Sequence, residues 1–158
     1  MGNKSIKDNK RSSTDIINKL TKCEHVEKYS LEGLKTYAKV TNIYDGDTCH
    51  LIFDFHTGKT NNTLVDIRVR MAHYNSAEIK TNDKEEKEKA IEARDYFRKI
   101  CDNKIVYVEF GKYEKYGRPL VVLYFKKEHC GNLNKSINFH MMDMKMGKKY
   151  EGKGEKEY

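Results

Sequence analysis

The sequence predicts an α+β fold, namely a five-stranded OB-type Greek-key β-barrel with two or three helices. Two patterns lead to this expectation. Five segments have the apolar character and period of β-strands, and one long segment of helical period lies between the third and the fourth of them. This arrangement fits a small OB-type barrel, and the strand count by itself also fits other small α+β folds.

The first half of the chain predicts a short helix followed by three strands. Residues 13–24 place Ile16, Ile17 and Leu20 on one apolar stripe, which is typical of a surface helix. Strand patterns follow at 37–44, 49–55 and 64–74. Because the three strands are consecutive, we expect them to form a meander.

The second half predicts a long helix, two strands and a final helix, at 82–101, 104–110, 120–125 and 136–146. Asn82 and Glu85 are spaced as a capping pair for the long helix, and Ala93 and Phe97 lie on its apolar face. Gly147 stands where a glycine commonly ends a helix. We expect the apolar faces of these helices and strands to form one compact core.

Length and composition limit the class of protein. A chain of 158 residues suits one domain. No segment approaches the roughly 18 apolar residues of a membrane span, and the start of the chain lacks the apolar segment of a secretory signal. We therefore expect an intracellular protein, cytoplasmic by default and monomeric. The four cysteines form no Cys-x-x-Cys pair, so free thiols are expected.

The charge of the chain suggests a polyanionic partner, but most of the excess lies in its ends. Lys and Arg number 31 against 24 Asp and Glu, which gives a net charge of +7. Five of these seven units fall within 1–30 and 145–158. The expected organisation is a basic N-terminal extension with a short helix, a barrel domain and a charged C-terminal tail, at 1–33, 34–147 and 148–158.

The N-terminus also allows a lipid anchor as an alternative. Gly2 follows Met1 as in an N-myristoylation signal, although Ile6 occupies the position that usually holds Ser or Thr. Nearby basic residues would supply the second signal that a single acyl chain needs. Peripheral membrane attachment through Gly2 is therefore the alternative location.

Three polar clusters stand where predicted strands end, and the first is Asp45-Gly46-Asp47-Thr48. As a tight turn it needs no function, because Asp-Gly readily supplies positive φ angles. The carboxylate of Asp47, directly after the turn, is not required by the turn itself. It suits a hard cation such as Ca²⁺, which prefers oxygen ligands.

The second cluster joins the end of the third strand to the loop after it. Strand alternation places Arg68 and Arg70 on one face, and Asn75, Ser76 and Glu78 follow in a loop that can turn back toward them. This is either a surface arginine pair of little energetic value or a site in which a guanidinium and a carboxylate converge on a phosphodiester.

The third cluster lies between the fourth and fifth strands. Its members Tyr113, Lys115, Tyr116 and Arg118 can form an ordinary soluble hairpin loop. They can equally supply a phosphate-clamping arginine, a lysine for charge and a tyrosine ring for stacking on a base.

Taken together and in order, the clusters resemble the staphylococcal-nuclease-like, or thermonuclease-type, family. The resemblance spans roughly 36–150, and its most specific pieces are Asp45-Gly46-Asp47-Thr48, Arg70 eight residues before Glu78, and Lys115-Tyr116-Gly117-Arg118. It implies an OB-type barrel that uses Ca²⁺ to hydrolyse phosphodiester bonds in DNA and RNA, with single strands as the preferred partner.

The resemblance also implies a role for each site residue. Arg70 and Arg118 would bind the phosphate, and Glu78 would activate or position the attacking water. Lys115 and Tyr116 would contact the substrate. Apart from the resemblance, Tyr113 is a further aromatic ring that can stack on a base.

The implied calcium ligands are Asp47, the backbone carbonyl of Ser76 and residue 75. The family usually has aspartate where this chain has Asn75, and proline where it has Ala77. An asparagine still offers an amide oxygen but removes a negative charge, so we expect weaker metal binding.

Two alternatives from other classes remain open. The first is a nucleic-acid-binding module without turnover, with Tyr113 and Tyr116 as stacking platforms on the same barrel. The second is an interaction domain whose basic ends bind an acidic protein or a membrane surface.

Overall fold

The structure is a computed structural model that describes residues 12–24, 28–55 and 63–150. Its helices are α1, α2 and α3, at Ser13–Thr21, Lys84–Cys101 and Ile137–Asp143. Its strands β1 to β7 are Lys35–Thr41, Thr48–Asp54, Leu64–Met71, Tyr74–Asn75, Ile105–Tyr113, Pro119–Tyr124 and Lys148–Lys149. Gly2 and residues 151–158 of the expected tail lie outside the described residues.

Five of these strands form a closed barrel in the order β1-β2-β3-β6-β5, with β5 pairing back onto β1. The first three strands form the predicted antiparallel meander. β3 then pairs in parallel with β6, where Arg70 lies opposite Leu120. The prediction of an α+β fold with a five-stranded OB-type barrel and two or three helices is confirmed.

The barrel core is built by the alternation that predicted the strands. Side chains that point inward are fully or almost fully buried, among them Val40, Leu51, Val69, Val106, Val108, Val121 and Leu123. α2 adds Phe97 and Cys101 to this core. All four cysteines are free, as expected. The core thereby fixes the strand ends from which the polar clusters project.

Two strand boundaries differ from the prediction because residues with positive φ interrupt the strands. β1 ends at Thr41, since Asn42 has a φ of 46°. β3 ends at Met71, since a turn follows in which His73 has a φ of 60°. The chain then re-enters extended structure as β4, which carries Asn75 of the second polar cluster.

The predicted helix caps are also corrected. The N-cap of α2 is Asp83, whose side chain accepts a hydrogen bond from the backbone N–H of Glu86, one residue later than the expected Asn82 pair. The C-cap of α3 is Met144, and the next residue, Lys145, has the left-handed φ of 62° that was expected of a glycine.

Gly147 permits a close approach of two chain segments instead of ending a helix. A Cβ atom at this position would overlap the carbonyl of Asn75 and the ring of Tyr74. The approach allows β7 to pair with β4, with Lys148 opposite Asn75. The Tyr74 hydroxyl donates a hydrogen bond of 2.9 Å to the Met146 carbonyl, which holds the same junction.

A buried asparagine anchors the turn that leads to β4. The Asn138 side chain donates to the carbonyls of Ala72 and Val121 at 2.8 and 3.0 Å and accepts from the Leu123 N–H at 3.0 Å. It is fully buried. These three bonds fix α3 to β6 and to the 72–73 turn.

α1 belongs to a separate compact unit, Met1–Ser30, and the barrel lies in Leu31–Tyr158. α1 begins after its N-cap Ser12, whose hydroxyl accepts a hydrogen bond from the Asp15 N–H at 3.1 Å. None of the helices in the described residues has the length and apolar character needed to cross a membrane.

Candidate active-site cleft

An open cleft of about 370 Å³ lies where the β1–β2 loop, the end of β3, the loop after β4 and the start of β6 meet. Five of the predicted site residues line it, namely Asp47, Arg70, Ser76, Glu78 and Arg118. The structure thus brings residues from all three polar clusters of the sequence to one surface.

Gly46 allows the β1–β2 loop to pack closely against Ser76 and Ala93. A Cβ atom at this position would lie 2.6 Å from Cβ of Ser76 and 2.8 Å from Cβ of Ala93. Gly46 is not among the described residues with positive φ, so the expected positive-φ Asp-Gly turn is wrong. Glycine is required here by close packing, which places the neighbouring Asp47 beside Ser76.

Asp47 is the buried anion of the site, with only 2% of its surface exposed. Its carboxylate lies 2.8 and 3.1 Å from the two terminal nitrogens of Arg70. It also accepts hydrogen bonds from the Thr48 hydroxyl at 2.9 Å and from the Ser76 N–H at 3.3 Å. Burial raises the pKa of Asp47, Arg70 opposes the rise, and the neighbouring Asp45 carboxylate adds to it.

Asn75 holds Arg70 from the other side. Its amide oxygen accepts a close hydrogen bond from Nη2 of Arg70, and β4 buries the residue to 8% exposure. A guanidinium has five N–H donors, of which Arg70 uses three on Asp47 and Asn75. Two donors remain for a ligand.

Arg118 is positioned by two contacts. Its Nε donates to Glu114 at 2.5 Å, and Nη1 donates to the Thr48 hydroxyl at 3.2 Å. The Glu114 bond raises the pKa of Arg118, so its guanidinium stays charged. Since two of its five donors are used, Arg118 has more donors left for a phosphate than Arg70.

Glu78 is the exposed carboxylate of the cleft. It lies two residues after Ser76, on the loop that Gly46 contacts, whereas Asp47 is buried beneath the arginine. The cleft therefore combines one buried carboxylate that binds a guanidinium with one carboxylate that solvent can reach.

The predicted substrate contacts lie outside the cleft lining, on the hairpin that carries Arg118. Tyr113 ends β5, and Tyr116 in the following loop is 71% exposed. The Lys115 ammonium lies 4.9 Å from the centre of the Tyr116 ring. The structure therefore does not bring these three residues into the cleft, although they stand next to one of its arginines.

Sequence reasoning missed several residues of the site. Tyr44 and Lys80 line the cleft, yet they belong to no motif of the sequence. Arg68 also lines it; strand alternation placed Arg68 on the same face as Arg70, but the sequence assigned it no role. Glu114 and Thr48 stand within the polar clusters, but their contacts with Arg118 depend on the fold and could not be derived from spacing.

The oxygen atoms around the cleft are of the kinds that bind a hard cation. Asp45 and Asp47 offer carboxylates, and Asn75 and Ser76 offer an amide oxygen and a carbonyl, which are the ligands that Ca²⁺ prefers. Within the described residues, however, no three His, Cys, Asp or Glu side chains cluster as a metal group. Because Arg70 holds the oxygens of Asp47 and Asn75, a cation at these two residues requires Arg70 to exchange partners.

No protein-family model matches the chain, and no curated protein matches it.

Proposed function

We propose that the protein is a calcium-dependent endonuclease that hydrolyses phosphodiester bonds in DNA or RNA, with single strands preferred. The observation that carries the proposal is the common cleft of Arg70, Arg118 and Glu78, with Asp47 beneath it. Hydrolysis of a phosphodiester needs cationic donors for the phosphate oxygens and a base near the water, and these side chains are of the required kinds.

The two arginines have unequal tasks in this proposal. Arg118 has the larger number of uncommitted N–H donors, so it is the main group that meets negative charge on the equatorial phosphate oxygens. Arg70 is held by Asp47 and Asn75 in the structure, and it would reach the phosphate after these two residues exchange it for Ca²⁺. The salt bridge to Glu114 keeps the Arg118 fork in one position.

Glu78 accepts the proton of the attacking water. The oxygen of that water forms a bond to phosphorus as the bond to the leaving oxygen breaks, and solvent supplies the proton that the leaving oxygen takes up. An exposed carboxylate can exchange its proton with solvent and return to its charged form.

The residues that would hold Ca²⁺ are Asp47, Asn75 and the carbonyl of Ser76, with Asp45 adjacent. A bound calcium ion supplies Lewis-acid polarisation of the phosphate at such a site. The chain's own contribution is to supply oxygen ligands and to release Arg70 from Asp47 and Asn75 toward the phosphate.

A binding module without turnover is the second candidate. The observation that favours it is the engagement of Arg70 with both Asp47 and Asn75, which ties up two of the expected metal ligands. In that case the basic cleft would bind the backbone of a single strand and leave it intact.

Incubation of the purified protein with denatured DNA and with single-stranded RNA tests the proposal. Fragments are separated on a denaturing gel after reaction in Ca²⁺ or in excess chelator, and retention of uncleaved strands is measured on a native gel. We expect cleavage in Ca²⁺ that the chelator abolishes. Binding of intact strands under both conditions would instead establish the binding module, and neither binding nor cleavage would contradict both candidates.

A further inference from the structure

Tyr44 and Arg68 line the cleft beside the proposed catalytic residues but have no task in the hydrolysis. The guanidinium carbon of Arg68 lies 5.0 Å from the centre of the Tyr44 ring, in a cation–π contact. Tyr44 is 40% exposed, and Arg68 is exposed as well. The pair is therefore a solvent-facing surface at the wall of the cleft.

Arg68 keeps its positive charge available because the nearest carboxylate on its strand has another partner. Asp66, two residues earlier on the same face of β3, binds His50 at 2.9 Å. His50 is the cross-strand neighbour of Arg68 on β2. Within the described residues Arg68 forms no ion pair with a carboxylate.

The other two arginines of the cleft differ in this respect. Arg70 is bound by Asp47, and Arg118 is bound by Glu114. In the part of the chain that the structure describes, Arg68 instead contacts an aromatic ring. A guanidinium next to an exposed ring offers a phosphate oxygen its N–H donors and offers a base a flat face.

We propose that Tyr44 and Arg68 form a nucleotide subsite next to the scissile phosphate, in which Tyr44 stacks on a base and Arg68 binds the adjoining phosphate. This inference rests on the proposed function. Arg68 and Arg70 alternate on β3, so their Cα atoms lie about 6–7 Å apart. One nucleotide of an extended single strand spans such a distance, which places consecutive phosphates at the two arginines.

The base contact is tested by the affinity of a fluorescent single-stranded oligonucleotide, measured by anisotropy in Ca²⁺ on the Glu78→Gln protein so that the strand stays intact. Tyr44→Ala in this protein should weaken binding by about tenfold, since one stacked base is lost. Tyr44→Phe should bind like the parent. Tyr37→Ala, which removes an exposed tyrosine outside the cleft lining, is the matched control and should change nothing.

A chain of equal length made of abasic deoxyribose phosphates separates base stacking from a structural effect. Tyr44→Ala should bind this chain as well as the parent protein does. Equal loss on the abasic chain and on the normal oligonucleotide would overturn the base contact, and so would unchanged affinity for the normal oligonucleotide. Melting temperatures show whether each variant is folded.

The phosphate contact is tested by the dependence of affinity on salt. Arg68→Ala should lower the slope of log K against log salt by about 0.7, the value for one phosphate of a single strand. Tyr44→Ala should leave the slope unchanged, and so should Lys99→Ala, which removes an exposed charge of α2 outside the cleft lining. An unchanged slope in Arg68→Ala would overturn the assignment of Arg68.

These measurements separate the subsite from the hydrolytic function. A wild-type protein that does not cleave, together with weaker binding by Tyr44→Ala, would contradict the nuclease and support the subsite. A wild-type protein that cleaves, together with unchanged binding by Tyr44→Ala, would contradict the subsite and leave the nuclease standing.

Discussion

Two buried polar networks in the barrel domain differ in the kind of partner they use. Asn138 makes its three hydrogen bonds to backbone groups of Ala72, Val121 and Leu123. Asp47 is nearly as buried, but two of its partners are the side chains of Arg70 and Thr48. The Asn138 network is thus made with backbone groups, whereas the Asp47 network includes side chains that line a cleft.

The difference indicates which network can respond to a ligand. Backbone groups in a barrel cannot leave Asn138 without disruption of the strands, so that network serves the fold. Side chains can rotate between partners, so Arg70 can pass from protein oxygens to phosphate oxygens with little change of the main chain. The comparison predicts that substitutions in the two networks separate activity from stability.

Arg118→Ala should have the largest effect, on activity. Loss of a charged donor to the transition-state phosphate costs on the order of 10²–10³ in kcat. The free energy of unfolding should fall by only about 1–2 kcal/mol, because both side chains of the Arg118–Glu114 pair are partly exposed, at 19% and 16%. Initial rates on a single-stranded oligonucleotide and denaturant titration measure the two quantities.

The matched control for this change is Lys99→Ala, which removes one positive charge from an exposed position on α2. It should retain the wild-type rate. A similar loss of rate in both variants would mean that net charge, and not the cleft, accounts for activity.

Asn138→Ala should act on stability instead. It leaves the buried Leu123 N–H and the Ala72 carbonyl without their side-chain partner, whereas the Val121 carbonyl keeps a bond from the Ala72 N–H. Unsatisfied buried groups of this kind cost about 1–3 kcal/mol each, so we expect the two to cost roughly 2–6 kcal/mol. Denaturant titration gives the value.

Asn134→Ala is the control for the asparagine change, since Asn134 is exposed near the same helix. Its stability should stay within about 0.5 kcal/mol of wild type. An equally small loss of stability in Asn138→Ala would contradict the conclusion that the Asn138 network serves the fold.

Asn75→Asp should have the smallest of these effects. A carboxylate restores a charged oxygen for Ca²⁺ but also binds Arg70 more tightly, so the net gain in calcium affinity should be about tenfold or less. Calorimetric titration with Ca²⁺ and rates at limiting metal measure it. Asn134→Asp adds the same charge away from the cleft, and a curve for Asn75→Asp that matches this control would show that residue 75 is not a ligand.

The sequence predicts the fold and the residues that line the cleft to different extents. Strand alternation is a local pattern, so the residues themselves indicate the barrel strands and the shared face of Arg68 and Arg70. The order of the three clusters similarly points to Asp47, Glu78 and Arg118.

Contacts between distant residues could not be predicted in this way. The sequence pattern indicates a turn at Gly46 and a helix cap at Gly147, but their lack of a side chain serves close approaches to Ser76 and Asn75. The Thr48 bond to Arg118 joins residues 70 positions apart. Spacing along the chain carries no information about such contacts, and only the closed barrel defines them.

The most direct test of the central claim compares wild type with Glu78→Gln, prepared in parallel, for cleavage of a labelled single-stranded oligonucleotide in Ca²⁺. The substitution removes the proton acceptor but keeps nearly the same shape at an exposed position, so the fold should persist. We expect a rate lower by about 10²–10⁴ with unchanged binding of the strand. Equal rates for the two proteins would contradict the assignment of this cleft as a nuclease active site.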